Sequence, residues 1–179
     1  MLLALLPPEP AVPPPERSPA ALFSTWESGR VDGGGVYAWF AVPATPAAVY
    51  AVLADDAAMH AWIPHLSRSD VLERGDGCNR VAFEVPSPVG TVAYTLQRCH
   101  ADGAVWWAKA AGDRFEAIEG SYRLTETPGG TLVRYWSHVV AAVPVPLAVQ
   151  EEVARVGLGD LVEGLRTEVA RRSAGSPRP

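Results

Sequence analysis

Between residues 67 and 142 the sequence repeats one device six times: a run of strand-forming residues, apolar at alternate positions, closed by glycine, proline or aspartate. The runs cover about 67 to 74, 79 to 86, 90 to 100, 104 to 110, 115 to 125 and 131 to 142, and the turns between them read RGDG, PSPVG, ADGA, AGD and TPGG. Connections this short leave no room for crossover helices, so the runs form an antiparallel meander. Upstream, VYAWFAVPA (36 to 44) alternates as one more strand, bringing the expected sheet to about seven. It feeds ATPAAVYAVLAD, where the period becomes helical, with Thr45 placed as the cap and Pro46 at the first helical position. A second short helix is predicted over DDAAMHAW, capped by Asp55 or Asp56 and ended by Pro64.

Parity sets the register, because a slip of one residue would turn every side chain to the other face. Centring the PSPVG hairpin between Pro88 and Val89 pairs Val85 with Val92, Phe83 with Tyr94 and Val81 with Leu96, all apolar and all on one face. Arg80, Ala82, Glu84, Ala93, Thr95 and Gln97 fall on the other face, and Cys78 comes opposite Cys99. The TPGG hairpin pairs Leu124 with Val133, Tyr122 with Tyr135, Gly120 with Ser137 and Ile118 with Val139. Its other face carries Glu119, Arg123, Arg134, Trp136 and His138, so the sheet has a dry side and a wet side. Of Trp106 and Trp107 only one can face inward, and counting from Gly120 selects Trp107.

A long amphipathic helix is expected from about Pro146 to Arg172. A helical wheel gathers Gln150, Val153, Ala154, Gly157, Leu158, Leu161, Gly164 and Leu165 on one side, opposite Glu151, Glu152, Arg155, Glu163 and Arg166. The dry face of the sheet is the large surface available to cover it. The expected fold is therefore α+β, a curved antiparallel sheet around a C-terminal helix.

Composition narrows the function. A formal charge of -5 with scattered Lys and Arg argues against nucleic acid. The opening MLLALL lacks a positive flank and runs straight into PPEPAVPPPERSP, so neither a signal peptide nor a membrane span is expected. Residues 1–29 are expected to be a Pro-rich, flexible extension, 30–172 the folded domain, and 173–179 a disordered tail. Two cysteines make no disulfide framework, so free thiols and a cytoplasmic location are the expectation, with a cross-strand disulfide as second choice. No HExxH, GxSxG elbow, phosphate loop or nucleophile-base pair occurs, so no metal and no cofactor is expected.

Order and motifs together resemble the START-like superfamily, also called SRPBCC, over about residues 30 to 172. FAVPATPAAVYAVLADDAAMHAWIPHLSRSDVLER is similar to that family's opening strand, its strand-to-helix turn and its aromatic, apolar, proline segment before the second strand. GDRFEAIEGSYRLTETPGGTLVRY resembles the Phe, apolar, Gly, aromatic pattern of the coenzyme-Q-binding START-like branch and of polyketide cyclase/dehydrase-like proteins. The resemblance implies the helix-grip fold, with a cavity between sheet and helix.

The candidate ligand-binding residues follow from the dry face. They are Val81, Phe83, Tyr94, Leu96, Trp107, Ile118, Gly120, Tyr122, Tyr135 and Ser137 on strands, and Gln150, Val153, Gly157 and Leu161 on the helix. Trp62, Ile63 and Pro64 form the rim, where His60 and His65 are read as solvated. Hydroxyls on an apolar wall need partners, and a ligand is one source of them. Gly157 and Gly164 each cost the helix about 1 kcal/mol relative to alanine, as if space were required. The expected role is to bind or carry a small hydrophobic molecule such as a lipid, quinone or polyketide, without stable membrane insertion. The alternative is a polyketide aromatase/cyclase- or dehydratase-like enzyme using the tyrosines, Ser137 or a rim histidine.

Overall fold

The structure, a computed structural model, describes residues 9–88 and 90–175. Expectations for residues 1–8, for Val89 at the hairpin tip and for residues 176–179 lie outside them. Eight strands form one sheet: β1 Trp26–Arg30, β2 Val36–Val42, β3 Arg68–Arg74, β4 Cys78–Ser87, β5 Gly90–Ala101, β6 Ala104–Ala111, β7 Phe115–Thr127 and β8 Gly130–Ala141. Their order is β1-β2-β8-β7-β6-β5-β4-β3, so the first long strand lies against the last of the meander. Helix α1 spans Pro46–Leu53, followed by a 3-10 turn over Asp56–Ala61, and the chain ends in α2 Leu147–Val156 and α3 Leu158–Gly175.

The registers follow parity. Val85 pairs with Val92, Phe83 with Tyr94 and Val81 with Leu96; Leu124 pairs with Val133, Tyr122 with Tyr135, Gly120 with Ser137 and Ile118 with Val139. Thr45 caps α1 by accepting from the Ala48 amide at 3.3 Å, with Pro46 at its first position. Val49, Val52 and Leu53 of α1, Val162, Leu165 and Val169 of α3 and Phe40 of β2 belong to one buried hydrophobic cluster. This packing fills one end of the sheet's dry side with protein.

Four expectations change. The sheet has eight strands because Trp26–Arg30 pairs with β2, which moves the start of the fold into the segment assigned to the extension. Its sequence, WESGR, carries no apolar alternation: only Trp26 packs against the core, and the other residues up to Gly29 are half-buried without being apolar side chains. The C-terminal helix is broken: Gly157 ends α2 and α3 starts at Leu158. Asp55 makes no side-chain cap bond, and Asp56 turns into the core instead. Finally, Cys78 and Cys99, directly opposed in register at a Cα separation of 3.9 Å, form a disulfide in place of two free thiols.

At the far edge β3 pairs with β4 alone, and a bulge between Val71 and Glu73 interrupts its ladder and leaves Leu72 exposed.

Candidate functional site

Where α3 leaves the sheet, the dry face encloses a cavity of about 250 Å³. Its walls come from β4 to β8, its lid from Leu161 and its rim from Met59, Ile63, Pro64 and Leu66. Two aromatic groups line it. Phe83 stacks on Tyr94 at 5.5 Å, and Phe115 meets Tyr94 edge-on at 5.5 Å. Opposite, Trp107, Tyr122 and Tyr135 pack mutually, with Tyr122 and Tyr135 centroids 5.1 Å apart. A second hollow, of about 260 Å³, shares Ile63, Pro64, Tyr135, Ser137, Val139 and Leu161 with the first and adds His65, Val153, Ala154, Gly157, Leu158 and Asp160. It forms a vestibule between the rim and the α2/α3 break.

Burial keeps the cavity phenols protonated. It pushes Tyr94 up to about 12, reinforced by Tyr135, and it raises Tyr122 and Tyr135, the latter against a hydrogen bond from Ser137. At neutral pH the tyrosines are therefore O–H groups that can donate to a ligand oxygen.

The polar end of the cavity is Arg98, which is 1% exposed. Its Nη2 donates to the Leu53 carbonyl at 3.0 Å, Nη1 touches the Met59 sulfur, and the guanidinium lies 6.0 Å from the centre of the Trp107 ring. Nη1 also stands 2.9 Å from Asp56 Oδ1, an ion pair that falls short of a directed hydrogen bond. The other oxygen of Asp56 accepts from Asn79 Nδ2 at 2.8 Å and from His100 Nε2 at 3.0 Å. Burial raises the Asp56 carboxyl, but the His100 and Asn79 hydrogen bonds and the Arg98 charge outweigh it and hold it below its ordinary value. Desolvation lowers Arg98, opposed by Asp56. Arg98 Nε has no hydrogen-bond partner among the described residues. Arg98 is among the residues lining the cavity, and a buried guanidinium N–H without an acceptor fits a ligand oxygen brought next to it.

Of the residues expected to bind, Ile63, Pro64, Phe83, Tyr94, Leu96, Trp107, Ile118, Tyr122, Tyr135, Ser137 and Leu161 line the cavity. Val153 and Gly157 reach only the vestibule, and Val153 is 70% exposed because the break at Gly157 rotates α2 away from a single wheel. Gln150 is engaged elsewhere, accepting from the Ala141 amide and donating to the Val145 carbonyl. Trp62 and Val81 are core side chains. Gly120 makes no room for a ligand: a Cβ there would lie 2.4 Å from the Trp107 ring, which fills that space. Gly164 likewise serves close packing, since its Cβ would lie 2.3 Å from the Trp62 carbonyl oxygen. Met59, Leu66, Val85, Arg98 and Val139 line the cavity without having been singled out. For Arg98 a signal existed, because it shares parity with Tyr94 and Leu96. Its charge suggested the wet side.

A sequence profile described as polyketide cyclase / dehydrase and lipid transport matches residues 36–172. No curated protein matches the sequence. Among solved structures, the Zhui aromatase/cyclase from Streptomyces sp. R1128 is similar at a TM-score of 0.68 and 16% identity, covering 85% of this chain and 99% of that one. A START superfamily protein from Mycobacterium smegmatis is similar at 0.67 and 19%, covering 82% and 97%. A STAR-related lipid transfer protein from Xanthomonas axonopodis is similar at 0.66 and 17%, covering 81% and 92%. At these identities the likeness is one of fold, the helix-grip arrangement.

Proposed function

The chain belongs to the polyketide cyclase / dehydrase and lipid transport family, and from that premise we propose that it binds one compact, neutral, ring-containing molecule with a carbonyl or phenolic oxygen, and carries or sequesters it. The observation that carries this reading is the pairing of an apolar, two-walled aromatic cavity with a buried arginine whose Nε lacks an acceptor. Size supports it. An apolar hollow of about 150 Å³ takes benzene, so about 250 Å³ suits two fused or linked rings. Charge supports it too: Asp56 already matches Arg98, and a carboxylate ligand would leave the site with a buried excess of negative charge. Removing about 300 Å² of apolar ligand surface from water gains roughly 7 kcal/mol. Micromolar affinity needs about 8 kcal/mol after ordering costs, so hydrogen bonds from Arg98 and the tyrosines must contribute.

Cyclase-like catalysis is a second reading, favoured by the same donors, which could polarise a carbonyl. No carboxylate or imidazole is among the residues lining the inner cavity, so a reaction needing a side-chain base there finds none among the described residues. Binding is the simpler function. The disulfide also withdraws the argument for a cytoplasmic location, which rested on free thiols. Among the described residues no helix is long and apolar enough to cross a membrane.

The test uses 6-propionyl-2-dimethylaminonaphthalene, a neutral two-ring ketone whose emission shifts to the blue in apolar surroundings. We expect saturable one-to-one binding, lost at least ten-fold in Leu161→Trp, which fills the hollow. Absence of saturable binding, or binding indifferent to Leu161→Trp in a folded variant, overturns the reading.

A further inference from the structure

The wet face of the sheet holds a second arrangement that the cavity does not explain. Arg123 of β7 pairs with Arg134 of β8, Arg134 with Trp39 of β2, and Trp39 with Glu27 of β1. These four side chains stand in one row across four adjacent strands, about 14 Å long at about 4.8 Å per strand. Residues 9–17, EPAVPPPER, lie along it.

The contacts follow the row. The Glu9 carboxylate accepts from Arg123 Nε at 3.1 Å and Nη2 at 2.9 Å and from the Ser121 hydroxyl, and it forms an ion pair with Arg134 Nη2 at 2.8 Å. The cradle holds its pKa below the ordinary value although burial works the other way. Four residues on, the Pro13 carbonyl accepts from the Trp39 indole at 2.8 Å. Glu27 then accepts from the Glu16 and Arg17 amides at 2.8 and 3.1 Å. Prolines 10, 13, 14 and 15 hold the backbone extended, with no helix or strand through residue 15. At about 3.1 Å per residue, Glu9 to Pro13 spans about 12 Å, which matches two to three strand spacings. Cation, indole donor and carboxylate on the sheet thus meet carboxylate, carbonyl and amides on the segment.

Each element of this recognition is generic to a peptide. The segment contributes one carboxylate, one carbonyl and two backbone amides, while Ala11, Pro13, Pro14, Glu16 and Arg17 are exposed. A strap held at three polar points, with five of its nine residues exposed, opens at low cost. We propose that the row Arg123, Arg134, Trp39, Glu27 is a docking site for an extended, proline-rich acidic segment of a partner protein, and that residues 9–17 are its resident, exchangeable occupant. The tether gives the resident an effective concentration near millimolar, so a partner's segment gains access when the Glu9 anchor is weakened.

The test uses the full chain and a fluorescein-labelled peptide of the sequence PPEPAVPPPERS, read by fluorescence anisotropy. The Glu9→Gln chain should bind the peptide at least ten-fold more tightly than the wild type. Replacing the peptide's glutamate at the position of Glu9 by glutamine, or adding Arg123→Ala to the Glu9→Gln chain, should each cost at least ten-fold. Trp39→Phe, which removes the indole donor and keeps an aromatic ring, should weaken binding on the same background. An unchanged or absent affinity for the Glu9→Gln chain with its melting transition intact, or equal binding of the glutamine peptide, overturns the proposal.

Discussion

Arg98 and Asp56 sit 1% and 3% exposed within the core, where an unmatched charge is far costlier than a matched pair is helpful. Arg98→Met alone leaves Asp56 buried with only His100 and Asn79, and should destabilise the fold by about 3 to 5 kcal/mol. The Asp56→Asn, Arg98→Met double variant should recover a large part of that loss. Urea denaturation of the four proteins in a double-mutant cycle measures it, and strictly additive losses would remove the coupling. Both variants should weaken binding of the naphthalene ketone, since both lack the Nε donor, whereas a purely structural arginine would let the double variant bind normally. Most cavity residues were legible from parity because apolar alternation is itself a consequence of burying one face. Arg98 obeys the same parity, but its partner lies 42 positions away on another element, a distance that no local pattern expresses.

α2 is held by polar groups on one side while Val149, Val153 and Val156 stand 51 to 72% exposed on another. Arg30 Nη2 donates to the Ala148 carbonyl at 3.0 Å and its Nε lies 3.5 Å from Glu151, whose Oε1 accepts from the Gly35 amide at 3.0 Å. Gly35 has φ +94°, and a Cβ would lie 2.5 Å from the Ser137 carbonyl oxygen, so glycine lets this turn come close enough to latch the helix. Because α2 also lines the vestibule, loosening this latch should open the way to the cavity more often. A partly exposed ion pair contributes about 1 kcal/mol at most, so Arg30→Ala should raise the dissociation rate of the bound ketone by up to about five-fold. Amide exchange should quicken in α2 and stay unchanged in α3. Equal quickening in both helices would mean that they open as one. The break between them escaped the helical wheel because residues 147 to 172 contain no proline, and glycines such as Gly157, Gly159 and Gly164 read there as weak helix residues rather than as a boundary.

For the molecule as a whole, acid tests the carboxylate that fastens the last turns of α3. Hydrogen bonds from Arg171 and Arg172 hold Glu168 down to about 2 from 4.5, against the effect of burial, and Arg172 also reaches Asp55 at 3.0 Å after α1. The folded carboxyl takes up its proton less readily than the unfolded one, so its stabilisation is full above about pH 4.5 and fades as pH falls towards 2. The gap in melting temperature between wild type and Glu168→Gln should close over that window; a gap independent of pH would assign the stabilisation to packing. The meander, its registers and the closing helical segment were legible because turn chemistry and alternation are local, while the edge strand β1 carries no apolar alternation to announce it and the disulfide depends on oxidation, which sequence does not express. One consequence follows from the bulge in β3. A ladder open on one side invites another chain to add to it, but this one is kinked at Leu72 and flanked by Arg68, Asp70, Glu73 and Arg74. Stacking one copy's margin on the next would force those charges and the kink together, which works against growth of fibrils from that side.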